Sequence, residues 1–244
     1  MAVYFISDLH LNLQQPAMTE GFLAYLKQLD DAEALYILGD FFEAWIGDDV
    51  STPMTDAVES ALAALSDRGC KLFITHGNRD FLIGNAFCQR IGATLLDEQA
   101  VIDLGDHKAL LLHGDELCLD DVDYQKIRQL LRNPAWQADF LSKSIPERIE
   151  FAKQARAQSK ESGQMKADDI MDVTQSAVDA ALDAAGTDLM IHGHTHRPAT
   201  HEWQNDEQQR QRWVLGDWSD THGWQIRWTA EQGLSLNQFA FSEL

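Results

Sequence analysis

Apolar residues fall in short unbroken runs along this chain, and run after run stops at an Asp, Asn or His. Val3–Ile6 stops at Ser7-Asp8, Ala34–Leu38 at Gly39-Asp40, and Lys71–Thr75 at His76-Gly77-Asn78-Arg79-Asp80. Runs this short and this apolar predict buried strands. Between them, residues 20–29 set Phe22, Leu23, Leu26 and Leu29 on one helical face, and residues 55–66 read as a second helix. Strand, helix, strand, helix, strand in this order predicts a layered α/β fold.

The rhythm then changes. Residues 100–104 and 108–112 predict a hairpin about Gly105-Asp106 that ends at His113-Gly114-Asp115. From 122 to 183 the pattern is helical throughout, and strand signals return at 188–191, 212–216, 223–228 and 234–241. With no internal repeat and no low-complexity linker, residues 1–244 are expected to form a single domain. Residues 122–183 are expected to be a helical insertion within it.

Charge sharpens this division. The chain of 244 residues carries 39 acidic and 19 basic side chains, a formal charge of −20, and so makes a poor partner for nucleic acid. Segment 126–166 runs the other way: nine basic residues against four acidic give it +5, which leaves −25 for the remainder. A basic helical insert on an acidic body reads either as a solvated helical face or as a lid that meets an anionic substrate or an anionic membrane surface. Cys70, Cys88 and Cys118 have no metal-ligand spacing and are expected to be reduced and buried. The N-terminus has no basic signal-peptide region, and no apolar run approaches the ~18 residues of a membrane span.

Five polar motifs follow predicted strands: Asp8-Leu9-His10, Gly39-Asp40, Gly77-Asn78-Arg79-Asp80, His113-Gly114-Asp115 and His192-Gly193-His194-Thr195-His196. In an open α/β sheet, ligands bind at that edge. Asp8, His10, Asp40, Asn78, His113, His192 and His194 offer the carboxylate, amide and imidazole groups that divalent cations accept. A pair of ions would need a bridging carboxylate.

The order D-x-H, G-D, G-N-x-D, H-G-D, G-H-T-H resembles the calcineurin-like metallophosphoesterase superfamily. That resemblance implies a four-layer αββα sandwich. It also implies one ion on Asp8, His10, Asp40 and His194, and a second on Asp40, Asn78, His113 and His192. Further detail narrows the likeness: Phe42-Glu43-Ala44-Trp45-Ile46-Gly47-Asp48-Asp49, Arg79 with Phe81-Leu82, Ile170-Met171-Asp172-Val173 and His192 through Pro198. Together these resemble the UDP-2,3-diacylglucosamine diphosphatase family of the lipid A pathway, nearly end to end.

The likeness to that family implies a chemistry and a set of contacts. Two Mn²⁺ ions per chain would acidify a water for attack on the uridine-side phosphorus, giving UMP and 2,3-diacylglucosamine 1-phosphate. Asn78, Arg79 and His113 would stand at the reaction centre, Arg79 clamping phosphate where the wider superfamily carries a His; an arginine cannot act as an acid near neutral pH. Asn78, Arg79, Asp121, Ser159, Gly163, Lys166 and His192 would contact substrate. Position 163 is Gly where better-known members have Asn, so only its backbone could serve. His196 and Arg197 are expected to orient the last ligand from behind it. Trp136, Phe140 and Phe151 offer either an acyl groove or plain helix packing. The protein would be cytoplasmic, peripheral on the inner membrane, with no obligate protein partner. Two other readings stay open: a dimetal enzyme for soluble nucleotides or phosphoproteins, and a scaffold that has lost catalysis.

Overall fold

A computed structural model describes residues 1–164, 172–205 and 208–244, residues 158–164 by backbone alone. The first sheet has the order β11-β10-β1-β2-β3-β4, from β1 (Ala2–Ile6), β2 (Ala32–Leu38), β3 (Lys71–Thr75), β4 (Ala93–Leu95), β10 (His222–Thr229) and β11 (Gly233–Ala240). The second has the order β5-β6-β7-β9-β8, from β5 (Gln99–Leu104), β6 (His107–Leu112), β7 (Leu189–His192), β8 (Ala199–Asn205) and β9 (Gln208–Val214).

Strand alternation explains the apolar runs. On β1, β2 and β3, residues such as Tyr4, Ile6, Leu35, Ile37, Leu72 and Ile74 face helices α1 (Pro16–Gln28), α2 (Pro53–Asp67) and α3 (Asn85–Ile91). Their alternates Phe5, Tyr36, Leu38 and Phe73 face the second sheet, against Leu104, Ala109, Leu111 and Ile191. The second sheet's other face, with Leu110, Leu112 and Met190, is covered by Val178, Ala181 and Leu182 of α7 (Gln175–Ala185). Helix, sheet, sheet, helix is the expected four-layer sandwich, and each central strand is apolar on both faces because both are buried.

Three differences from the sequence expectations stand out. The exposed edge strand β8 and the short pair α3–β4 are additional elements. The insertion proper is α4 (Val122–Leu131), α5 (Pro134–Ser142) and α6 (Ile145–Gln164). Helix α7, inside the expected 122–183 boundary, belongs to the core because its apolar face is the second sheet's outer layer.

The insert is fastened at defined points. Phe140 is buried in the first core cluster, stacked on Trp136 with ring centroids 5.2 Å apart, and Phe151 closes on both. Arg148 of α6 is buried; its guanidinium donates to Ile46 O at 2.7 Å and forms a bidentate pair with Asp49. Arg156 meets Glu43. On α4, Arg128 and the Tyr124 hydroxyl both donate to the buried Asp115 carboxylate.

Candidate active site

Strands β1, β2 and β3 run parallel, as do β6, β7 and β9, so the loops after their C-terminal ends collect at one edge of the sandwich. The two sheets meet there directly: His113 Nδ1 donates to Leu38 O at 2.9 Å, and the His194 amide to Asp8 Oδ2 at 3.0 Å. Gly39 and Gly193 permit this approach, since a Cβ at Gly39 would stand 2.8 Å from His113 Nδ1 and one at Gly193 2.2 Å from Asp8 Oδ2. The non-glycine residues with positive φ among those described are Asp8, His10, Asp40, His194 and His196, all in these loops. Backbone strain of this kind concentrates where side chains must be aimed.

Two poles result. In the first, ligand atoms of Asp8, His10 and His196 lie within 4.8 Å of one another, and His10 Nδ1 is 3.8 Å from Asp40 Oδ2. In the second, Asn78 Oδ1 lies 2.9 Å from His113 Nε2 and 3.0 Å from His194 Nδ1, while His113 Nε2 is 3.7 Å from Asp40 Oδ1. Asp40 thus turns one oxygen to each pole. Arg79 lies beside it, with Nε 3.3 Å from Asp40 Oδ2 and Nη1 on Glu43; the other oxygen of Glu43 receives Arg156 from the insert.

One expectation is corrected here. His192 does not join the centre; His196 does. His192 is the last residue of β7 and shares a face with Met190, which is buried in the outer cluster, so its ring lies on the α7 side of the sheet, against Gly114, and not at either pole. Its Nδ1–H donates to Gly193 O at 2.8 Å, and its Nε2 accepts from Arg212 at 3.2 Å. Beyond the turn, His196 Nε2 reaches to 3.4 Å from Asp8 Oδ1 and 3.2 Å from His10 Nε2, with Asp217 3.6 Å behind its Nδ1. The repeated H-x-H spacing is the signal that allows either pair; strand alternation decides between them.

The donor set fits cations. Asp8 Oδ1 and His10 Nδ1 are buried with no hydrogen-bond partner. Burial keeps His10 well below its ordinary pKa and holds His194 at about 4, leaving neutral imidazoles with lone pairs. Burial, with Asp80 and Asp8 nearby, pushes Asp40 up to about 7. Against burial, Asp40, Asp8 and Asp115 push His113 up to about 9; a proton there answers the same negative charge that a metal ion would.

The remaining expected residues lie on the insert. Asp121 caps α4, accepting from the Tyr124 amide at 3.1 Å. Ser159 and Gly163 fall in the part of α6 described by backbone only, and Lys166 lies outside the described residues. Glu43 and Arg156 join the site's framework without having been expected there, and Asp80 and Asp115, named only as parts of their motifs, join it too.

A four-layer αββα sandwich with imidazole and carboxylate poles at its strand ends is the architecture of a calcineurin-like phosphoesterase, and the model of that family matches residues 1–198. Within it, the chain belongs to the family of the UDP-2,3-diacylglucosamine hydrolases. It is 48 % identical over 242 residues to the protein of that name from Chromohalobacter salexigens, covering 99 % of this chain and 98 % of that one. To the Cellvibrio japonicus protein of the same name it is 49 % identical over 240 residues, covering 98 % and 99 %.

Proposed function

We propose that this chain hydrolyses the pyrophosphate bond of UDP-2,3-diacylglucosamine, releasing UMP and 2,3-diacylglucosamine 1-phosphate, with water adding to the uridine-side phosphorus. The observation that carries the reaction class is the pair of poles sharing Asp40, with Arg79 alongside. The relatives' names support the substrate. We assign Asp8, His10, Asp40 and His196 to one divalent ion and Asp40, Asn78, His113 and His194 to a second. The all-oxygen-and-nitrogen donor set favours Mn²⁺. When bound, such a pair supplies Lewis-acid charge at phosphoryl oxygens and makes water a usable nucleophile near neutral pH.

The chain's own residues do the rest. The His113 Nδ1–H is fixed on Leu38 O, which aims Nε2 at the second pole. Asn78 holds its carbonyl oxygen between two imidazoles. Arg79 is fixed beside the centre by Asp40 and Glu43, where its guanidinium stabilises charge growing on a phosphoryl oxygen without giving up a proton. On the insert, Asp121, Ser159, the Gly163 backbone and Lys166 are assigned to the sugar and phosphate.

A lipid substrate also accounts for the insert's surface. Ile127, Leu130, Leu141 and Phe151 are 52, 55, 40 and 42 % exposed on a segment carrying +5. No described helix is long and apolar enough to cross a membrane. We therefore assign the insert to acyl chains and to peripheral contact with the anionic cytoplasmic face of the inner membrane. The test is product-resolved turnover of UDP-2,3-diacylglucosamine with Mn²⁺ and with EDTA, beside a soluble aryl phosphodiester. Mn²⁺-dependent UMP release that far outpaces aryl-ester cleavage supports the reading. Fast aryl-ester cleavage without UMP overturns the substrate.

A further inference from the structure

Beside the reaction centre, on the second sheet, lies a cavity of about 200 Å³ whose lining includes Asp172, Thr195, Ala199, Arg212 and Val214, with Arg197 and His201 as further polar walls. Arg212 is only 8 % exposed. Among the described residues its hydrogen bond is the one to His192, it has no ion pair, and its Nε has no partner. Asp172, on the same cavity, acts on this guanidinium through space but makes no hydrogen bond to it, so a ligand that accepts hydrogen bonds would supply the acceptor it lacks. Thr195 Oγ1 is also buried without a partner, and Thr195 stands between His194 and His196 of the two poles. Arg212 and Thr195 thus both line one cavity next to the centre.

The other walls say which acceptor fits. Ala199 and Val214 are cross-strand partners on β8 and β9 and form an apolar wall with Pro198. Asp172 at the rim is already paired with Arg197 at 2.7 Å. An apolar wall with donors at one end suits a flat ring carrying carbonyl oxygens better than a bare phosphate. Position agrees. The insert's α6 is fastened to the first sheet's side of the centre, through Asp49 and Glu43, and α4 to the loop after β6 through Asp115, whereas this cavity lies at the β8–β9 end of the second sheet. A substrate with lipid on one side of its pyrophosphate and a nucleoside on the other has a side for each.

We infer that this cavity receives the pyrimidine nucleoside end of the substrate, with Arg212 and Thr195 donating to its oxygens; this rests on the proposal that the substrate is UDP-linked. The test is calorimetric binding of UMP, uridine and inorganic phosphate to the Mn²⁺-loaded full chain and to the Arg212→Gln and Ala199→Leu variants. UMP affinity, taken relative to phosphate affinity, is expected to fall about tenfold in each variant. Ala199 lies on an edge strand and is only partly buried, so Ala199→Leu decides the matter if Arg212→Gln fails to fold. An unchanged UMP-to-phosphate ratio in Ala199→Leu overturns the inference, and so does a wild-type chain that binds phosphate as tightly as UMP. UMP release from the UDP-lipid is read separately. Its absence, with the ratio still falling, rejects the proposed reaction and leaves the nucleoside cavity standing.

Discussion

Asp80 has no place among the proposed ligands, yet it holds two ligand loops together. Its side chain is fully buried. Oδ1 accepts from Gly77 N at 2.8 Å and Asp40 N at 3.3 Å, and Oδ2 from Phe41 N at 2.7 Å and Phe42 N at 3.4 Å. Asp80→Asn keeps the volume but turns one oxygen into a donor facing two amide N–H groups. A hydrogen bond to a charged acceptor contributes about 1.5–3 kcal/mol, and an unmet buried donor costs about 1–3 kcal/mol. The long bond in each pair counts for little. One short bond lost and one N–H stranded put the destabilisation near 3 kcal/mol, or about 6–12 °C in Tm at roughly 2–4 °C per kcal/mol for a chain this long. Urea unfolding in EDTA measures it without interference from metal. A loss under about 0.5 kcal/mol would mean that Asp80 does not hold these amides, since among the described residues they have no other hydrogen-bond acceptor.

Other predictions concern the centre and the insert. Arg79→Lys keeps the charge but loses the fork, so kcat falls about a hundredfold while Mn²⁺ binding is retained; weakened metal binding would make Arg79 a structural prop instead. His196→Gln weakens Mn²⁺ binding by more than about tenfold and His192→Gln far less, as titration against a chelator reports; the opposite order would restore His192 to the centre. Arg148→Met releases the insert, and proteolysis between residues 122 and 164 accelerates while core unfolding moves less. The hydrogen bonds from Arg148 hold Asp49 below the usual carboxylate range, so this clamp is at full strength above about pH 4 and is lost as pH falls through the depressed value. Cleavage rates of the wild type and Arg148→Met should therefore converge in acid; a gap that persists there removes Asp49 from the clamp.

The parts of the fold that can be read from sequence are those where burial dictates composition. β1, β2, β3, β6 and β7 are apolar on both faces, so their runs and the polar residues that end them stand out. β8 escapes detection because an edge strand with Thr200, Glu202 and Gln204 facing solvent has no run to detect, and β4 is three residues long. The C-terminal boundary of the insert is hidden for a related reason: α7 is helical like α4–α6, and only contact with Leu110, Leu112 and Met190 marks it as core.

The site divides in the same way. Asp8, His10, Asp40, Asn78, His113 and His194 follow from their places after buried strands. His192 and His196 cannot be told apart by spacing, because one register step at the end of β7 decides which ring faces the loops. Glu43, Arg148 and Arg156 act across 36 or more residues of chain, through ion pairs and a backbone carbonyl that leave no local pattern, and Asp80 adds contacts of that range to its local one with Gly77.

The shared carboxylate is the centre of the account, and Asp40→Asn tests it directly. Mn²⁺ binding, with UMP release from UDP-2,3-diacylglucosamine followed on the same samples, should show two ions per wild-type chain. Both ions and the turnover are expected to be lost together in the variant. An Asp40→Asn protein that still holds two ions and releases UMP at the wild-type rate would contradict the claim that Asp40 joins the two poles.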